Sequence, residues 1–174
     1  METVPTAAEM IERARAMRPR LRERQAETEE RTYYSPQTHE EFVEAGFYRM
    51  LVPRRFGGHE QDLPTFWRVI IEIARGCPST AWSLCLASGH ALQVASIFEG
   101  DVQAELFGDG HFLAAAVAAP AGAAKRTQDG WLLSSTHPYS SGAPYSTHYV
   151  GKTFGPPGED GAPTMLLFVA PRSA

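Results

Sequence analysis

The sequence predicts an α+β fold in two lobes, because its hydrophobic pattern changes character near residue 110. Residues 1–110 carry apolar side chains at helical spacing, and residues 111–174 have the pattern of short strands separated by turns. The dipeptide Asp129-Gly130, flanked by two strand-like runs, is typical of a tight β-hairpin. We therefore predict a helical N-terminal domain over 1–110 and an antiparallel β domain over 111–174.

Five stretches account for the predicted helices. Residues 6–32 are rich in Ala, Glu and Arg, with opposite charges three and four positions apart, so we expect a solvated helix that Pro19 kinks or divides. The segments SPQTHEEFVEAGFYRM and PTFWRVIIEIARG each place apolar residues on one helix face. The segment PSTAWSLCLASGHALQVASIF is apolar almost all round, which indicates a helix buried on several sides, and GDVQAELFG forms a last short helix.

Predicted strands fill the second half of the chain. They lie in HFLAAAVAAP, in the two arms around Asp129-Gly130, in THYVGKTF and in PTMLLFVA, the last two being separated by the turn-rich GPPGEDGA. The final apolar strand reaches Ala170 and the chain ends at Ala174. We therefore expect a sheet that lacks part of its cover and exposes an apolar face.

Composition narrows the functional classes. A net charge of −4, with no basic stripe interleaved with aromatics, argues against nucleic-acid binding. No run approaches the roughly 20 apolar residues of a membrane span, and the charged N-terminus lacks the apolar core of a signal peptide, so we expect a cytoplasmic protein. The spacing of Cys77 and Cys85 suits neither a metal knuckle nor a disulfide framework, so we expect reduced thiols and no metal site.

Two features are candidates for chemistry. Residues 130–150 contain nine Ser, Thr and His residues, which suit either an exposed edge-like strand or a wall of short donors facing a planar polar ligand. Within them, YSSG, which we expect on a strand, favours the second alternative, because small residues followed by Gly allow a ligand to approach the backbone closely. His90 lies in the middle of the apolar helix, where an imidazole is either a satisfied core residue or part of a site.

The segments EEFVEAGFYRMLVPRRFGGHE, EIARGCPSTAWSL and AAPAGAAKRTQDGWLLSSTHPYSSG resemble, in order and spacing, the acyl-CoA dehydrogenase superfamily. Among its branches they look most like the two-component flavin-dependent aromatic monooxygenases. The resemblance covers nearly the whole chain. It implies a helical N-terminal lobe, a central β lobe and a C-terminal four-helix lobe, of which the last is absent here.

The resemblance also implies a cofactor site for reduced FMN or FAD against the β lobe. It places Ser140, Ser141 and Gly142 at the edge of the flavin ring, where such a serine helps stabilise the oxygenated flavin. It places His90 at the phenolic substrate and Trp82 beside the flavin pocket.

Two departures from the family pattern affect this site. Ala118 and Ala119 stand near positions where many relatives carry hydroxyl side chains, so here only their backbone groups are expected to contact the flavin. His137 and Pro138 replace a more usual aromatic pair.

Three hypotheses follow. The first is an oxygenase component, or a portion of one, that takes reduced flavin from a separate reductase and hydroxylates an aromatic or related small molecule with O2. The second is acyl-CoA dehydrogenase-type α,β-dehydrogenation. The segment AVAAPAG argues against it, because it stands where those enzymes typically have an acidic Thr-Glu-Pro segment. The third is a non-catalytic truncated module that binds a partner chain. A homo-oligomer, or a chain that supplies the missing lobe, is the expected protein partner.

Overall fold

The structure is a computed structural model that describes residues 4–137 and 139–173. Helices come first: α1 (Ala7–Glu23), α2 (Gln25–Arg31), α3 (Pro36–Glu44), α4 (Leu63–Ala74), α5 (Pro78–Ile97) and α6 (Gly100–Phe107). Strands follow: β1 (Ala114–Ala116), β2 (Ala123–Thr127), β3 (Gly130–Ser134), β4 (His148–Pro157) and β5 (Pro163–Pro171). The predicted α+β class is confirmed.

Local capping signals set where the helices begin. Thr6 and Glu9 form a capping box at the start of α1, with the Glu9 backbone N–H donating to the Thr6 hydroxyl over 3.3 Å. Ser35 and Asp62 cap α3 and α4, and each of these helices carries a proline in its first turn, where no backbone N–H is needed. Pro19 does not divide α1, because the helix runs through it to Glu23.

Helix α5 lies between the two halves of the core. On one side Leu84 packs with buried residues of α1, α3 and α4, including the fully buried Phe42. On the other side Val94 packs with Phe107 and with Val150 of β4. Burial of each such side chain contributes about 1.5–3 kcal/mol, so the nearly uniform apolar character of α5 is explained by contacts on both sides.

The sheet is mixed, which corrects the predicted antiparallel arrangement. Its order is β1-β4-β2-β3, and β5 also pairs with β4. The β2–β3 hairpin and the β4–β5 pair are antiparallel, whereas β1 pairs with β4 in parallel over Ala114–Ala116. Strand β2 also meets β4 in the parallel sense at Ala123. Parallel pairing needs a long crossover, and the chain between β1 and β4 supplies one.

Residues 135–147, here called the connecting segment, join β3 to β4, and those of them that the structure describes form no strand. The prediction that YSSG lies on a strand is therefore wrong. Gly142 adopts a φ of 81°, which breaks the extended backbone, and a short 3-10 helix follows at Ala143–Tyr145.

The sheet exposes apolar side chains on three strands, as expected from the sequence. They include Leu132 (62% exposed), Phe154 (42%) and Met165 (60%). Within residues 4–137 and 139–173, none of the helices combines the length and apolar character needed to cross a membrane.

Candidate functional site

A cleft of about 1130 Å³ lies against the sheet and is called the sheet cleft below. Its floor includes Ala115 of β1, Val150 of β4 and Phe168 of β5. The connecting segment contributes the polar part of the wall, formed by Ser135, His137, Tyr139 and Ser140. The cleft is large enough for an extended organic ligand, for which pockets of roughly 300–1,000 Å³ are typical. The polar stretch predicted to face a ligand therefore lines this cleft in part.

Strand β1 is bonded to β4 through alternate backbone groups. The carbonyl oxygen of Leu113 accepts the His148 N–H over 3.0 Å, and the Val117 N–H donates to the Val150 carbonyl over 3.2 Å. Because backbone groups alternate in direction along a strand, the carbonyls of Ala114 and Ala116 point to the opposite edge.

Two of the predicted catalytic residues bind that opposite edge. His90 Nδ1 lies 2.7 Å from the Ala114 carbonyl oxygen, and Ser140 Oγ donates to the Ala116 carbonyl oxygen over 3.2 Å. These two carbonyls are roughly 7 Å apart along the strand. The fold thus brings His90 and Ser140 from distant parts of the sequence to one edge of β1. Among the described residues that line the sheet cleft, Ser140 is present and His90 is not.

The bond to Ala114 fixes the tautomer of His90. Because a carbonyl oxygen only accepts, Nδ1 carries the proton, and Nε2 of the neutral ring is an acceptor. Burial lowers the pKa of His90, and the Ala114 carbonyl opposes this shift only in part. A neutral imidazole with a defined acceptor is therefore the dominant form at neutral pH.

Ser141, the third predicted catalytic residue, is bonded to the predicted flavin-pocket residue Trp82. The indole Nε1 donates to Ser141 Oγ over 3.1 Å, with Ser141 8% exposed and Trp82 61% exposed. Gly142, the next residue, packs against α5, and a Cβ added to it would lie 3.6 Å from the Ser83 carbonyl oxygen. Space is therefore sufficient for a side chain, and the positive φ of Gly142 is what favours glycine there.

Ala118 and Ala119 are exposed at the end of β1. Their segment is held to β4 on both sides, by Val117 N–H to the Val150 carbonyl and by Ala121 N–H to the Lys152 carbonyl. Their methyl side chains form no hydrogen bonds, so only backbone groups are offered to a ligand there.

Two residues of the cleft wall were not assigned to the site from the sequence. Nε2 of His137 is buried and has no hydrogen-bond partner among the described residues. Arg172 Nη1 donates to the carbonyls of Ala143 and Pro144, over 3.1 and 2.7 Å, and so ties the end of β5 to the connecting segment. His137 belonged to the conspicuous polar stretch, whereas nothing local in the sequence marks Arg172.

Metal-binding side chains do not cluster in the part of the chain that the structure describes, where no group of three or more His, Cys, Asp or Glu could hold an ion. Cys77 and Cys85 are both free thiols, and Cys77 is buried.

Known proteins with similar sequences include hydroxylases and monooxygenase subunits. The chain is 33% identical over 170 residues to a pigment production hydroxylase of Rhodococcus sp. (strain ATCC 21145), which covers 96% of this chain and 43% of that protein. It is 30% identical over 164 residues to the oxygenase subunit HsaA of a flavin-dependent monooxygenase of Rhodococcus jostii (strain RHA1), covering 93% of this chain and 42% of that protein. The chain thus spans less than half the length of these curated relatives.

Solved structures of similar fold include a hydroxylase and a protein in complex with FADH2. The 3-HSA hydroxylase of Rhodococcus sp. RHA1 superposes with a TM-score of 0.86 at 29% identity, over 95% of this chain and 42% of the other. XiaF from Streptomyces sp., in complex with FADH2 and glycerol, superposes with a TM-score of 0.87 at 28% identity, over 96% and 42%.

A family model agrees with these similarities and with the resemblance noted in the sequence. The model described as the acyl-CoA dehydrogenase N-terminal domain matches residues 6–99, more than half of the chain. This range runs from the cap of α1 to the end of α5 and includes Trp82 and His90. The chain therefore belongs to the acyl-CoA dehydrogenase N-terminal domain family.

Proposed function

We propose that this chain serves as, or forms part of, the oxygenase component of a two-component flavin-dependent monooxygenase. The substrate would be an aromatic or related small molecule, and a separate reductase would supply reduced FMN or FAD. The names of the curated relatives, a hydroxylase and a monooxygenase oxygenase subunit, support oxygenation over α,β-dehydrogenation of an acyl thioester. A cytoplasmic location and a homo-oligomeric assembly complete the proposal.

One observation carries this proposal: His90 and Ser140 are fixed on the same edge of β1, and Ser140 lines the sheet cleft. A hydroxyl oxygen that can accept at the cleft wall and a neutral imidazole on the same strand edge are groups that can hold a polar ring and a hydroxylated substrate. The residues present also fit a flavin, because the buried Nε2 of His137 lacks a partner that a polar ring atom would provide. Trp82 offers an exposed aromatic surface beside Ser141.

Reduced flavin, when bound, supplies the two electrons with which O2 delivers one oxygen atom to the substrate and the other to water. The task of this chain is to bind and orient it. Ser140 donates its proton to the Ala116 carbonyl, so its oxygen lone pairs are left to accept from a ring N–H. Ser141 accepts from Trp82, which leaves its own O–H to donate to a ring acceptor.

His90 has the complementary role toward the substrate. With the proton held on Nδ1 by the Ala114 carbonyl, Nε2 accepts a hydrogen bond from a phenolic hydroxyl and orients the ring for oxygen transfer. A neutral imidazole is required for this acceptor role, and the lowered pKa of His90 favours that state.

Flavin binding by the 174-residue chain tests the proposal directly. Titration with FMN and FAD, in oxidised form and after anaerobic reduction, is expected to show saturable binding, and Ser140→Ala is expected to weaken it about tenfold. Ser96→Ala is the matched control, since Ser96 is a helix-α5 serine whose hydroxyl donates to the Leu92 carbonyl. A folded chain that binds neither flavin in either redox state contradicts the proposal.

Oxygenation itself is tested by supplying reduced flavin, ¹⁸O2 and a panel of phenols to the protein. One ¹⁸O atom is expected in the hydroxylated product. His90→Gln is expected to raise KM for the phenol more than it changes flavin affinity, because His90 is assigned to the substrate. An equal loss of flavin affinity would contradict that assignment.

A further inference from the structure

Tyr145 joins the connecting segment to the helical lobe through an aromatic stack. Its ring lies almost parallel to that of His39, with centroids 4.3 Å apart and planes 5° apart. It also stacks on Tyr34 at 5.0 Å and 28°, and its hydroxyl donates to the Tyr34 carbonyl oxygen over 2.9 Å. We call Tyr34, His39, Tyr48 and Tyr145 the aromatic anchor.

The helical side of this anchor is itself held in place. The Tyr48 hydroxyl lies 2.9 Å from His39 Nδ1 and 2.8 Å from the Tyr34 hydroxyl, so the three side chains form one hydrogen-bonded row. Tyr34 is 2% exposed and Tyr48 is 6% exposed. Burial raises the pKa of Tyr34 to about 12, so its phenol stays neutral over the physiological range.

The anchor lies close in sequence to the proposed flavin contacts. Tyr145 closes the 3-10 helix Ala143–Tyr145, which directly follows Gly142. Ser140 lies five residues before Tyr145, and a stretch of that length spans at most about 17 Å when fully extended, so holding Tyr145 limits the range over which both serines can move. The side chains of Ser140 and Ser141 each form one hydrogen bond, and the stack on His39 and Tyr34 adds a restraint at the other end of the segment.

We infer that Tyr145 is a positioning residue, which fixes Ser140 and Ser141 by docking the connecting segment on the helical lobe. Its effect on the cofactor rests on the proposed function, in which these serines contact flavin. Its effect on the position of the connecting segment is independent of the proposed function, because the Trp82–Ser141 hydrogen bond reports that position without any flavin.

The experiment follows the indole N–H signals of the tryptophans in the ¹⁵N-labelled 174-residue chain by NMR. Tyr145→Leu removes the stack and the hydroxyl and is expected to shift the Trp82 indole signal and speed its exchange with solvent. Tyr145→Phe keeps the stack and loses the bond to the Tyr34 carbonyl, so a smaller shift in the same direction is expected. The indole signal of Trp67, on α4, is the internal control and is expected to stay in place.

His39→Leu approaches the same contact from the helical lobe. It is expected to move the Trp82 signal in the same direction as Tyr145→Leu, and the double variant to add little, because both changes break one stack. An unmoved Trp82 signal in the folded variants overturns the inference. Tyr145→Phe, which changes a single hydroxyl, keeps the test decisive if the leucine variants do not fold.

Flavin affinity then separates this inference from the proposed function. Tyr145→Leu is expected to weaken flavin binding about tenfold, and Tyr145→Phe to recover most of that loss. If the Trp82 signal moves and flavin affinity does not, Tyr145 still positions the segment, and the assignment of Ser140 and Ser141 to flavin is contradicted.

Discussion

His90 Nδ1 lies 2.7 Å from the carbonyl oxygen of Ala114, a contact that ties the middle of α5 to β1 and fixes the proton of the neutral ring on Nδ1. Burial lowers the pKa not only of His90 but also of His39 and His148. All three depressions have a consequence for stability.

Stability is expected to fall in mild acid. The pKa of each of these histidines is lower in the fold than the ordinary value of about 6.5 in the unfolded chain, so below that value the unfolded chain binds more protons. The stabilising contribution is complete above about pH 6.5 and is lost as the pH falls through the folded pKa values. Thermal unfolding between pH 7.5 and 5 measures the slope, which His90→Gln should reduce. Exposed His111→Gln is the control, and an unchanged slope in His90→Gln contradicts this account.

Glu72 of α4 is expected to be the most sensitive carboxylate in the helical lobe. It is 7% exposed, contacts the Arg18 guanidinium of α1, and lies 3.0 Å from Arg75 Nη1. Removing one partner of a buried pair costs about 3–5 kcal/mol, and because the arginines are partly exposed we expect about 2 kcal/mol for Glu72→Gln. Urea denaturation measures this loss. Glu12→Gln, which removes an exposed pair with Arg15, should cost less than about 1 kcal/mol.

His137→Phe should have opposite effects on stability and on binding. The buried Nε2 has no partner within the described part of the chain, and an unsatisfied buried polar atom costs about 1–3 kcal/mol. The phenylalanine variant should therefore melt at a higher temperature without ligand, yet bind flavin more weakly. His111→Phe, at an exposed position, controls for added apolar surface. A variant that is less stable and binds flavin as before would show that this imidazole has no such role.

Two glycines allow a matched test of the backbone. Gly142 has a φ of 81°, so Gly142→Ala forces a side chain into a strained conformation and should cost about 1 kcal/mol. Gly89 lies inside α5 with nothing within 4 Å of an added Cβ, so Gly89→Ala should stabilise by about 0.5–1 kcal/mol. Chemical denaturation of both variants measures the change in the free energy of unfolding, which should be negative for Gly142→Ala and positive for Gly89→Ala. Equal changes would contradict the described backbone.

The two thiols should differ in reactivity. Cys77 is 1% exposed, and its sulfur accepts a hydrogen bond from Thr80 Oγ1 over 3.2 Å. Cys85 is partly exposed, although burial raises the pKa of its thiol and slows the reaction. A maleimide titration of the native chain should therefore label Cys85 slowly and Cys77 only after denaturation. Prompt labelling of Cys77 in the native state would place it at the surface.

The sequence predicts local structure here better than long-range pairing. Helical periodicity and the Asp129-Gly130 turn correctly predict the helices and the β2–β3 hairpin, because the contacts that define them lie within a few residues. The parallel direction of β1 against β4 is not visible in the sequence, since the alternation of side chains indicates a face and not a partner.

The spatial arrangement of the candidate site residues was predictable only in part, for a similar physical reason. Ser140 and His90 stood out as a hydroxyl beside glycine and as an imidazole in an apolar helix, and the fold brings both to β1. The contacts of Tyr145 with the helical lobe were missed, because its partner Tyr34 lies 111 residues away in the chain. A tyrosine that contacts such a distant residue has the same local sequence as one exposed to solvent.

The side chains of His90 and Ser140, which bind the outer edge of β1, also affect whether another strand can be added there. Unpaired carbonyls on an edge strand are a template on which the strand of another molecule can assemble. In β1 the carbonyls of Ala114 and Ala116 already accept from His90 and Ser140. These bonds oppose strand addition at the β1 edge, so residues assigned to chemistry also guard one edge of the sheet.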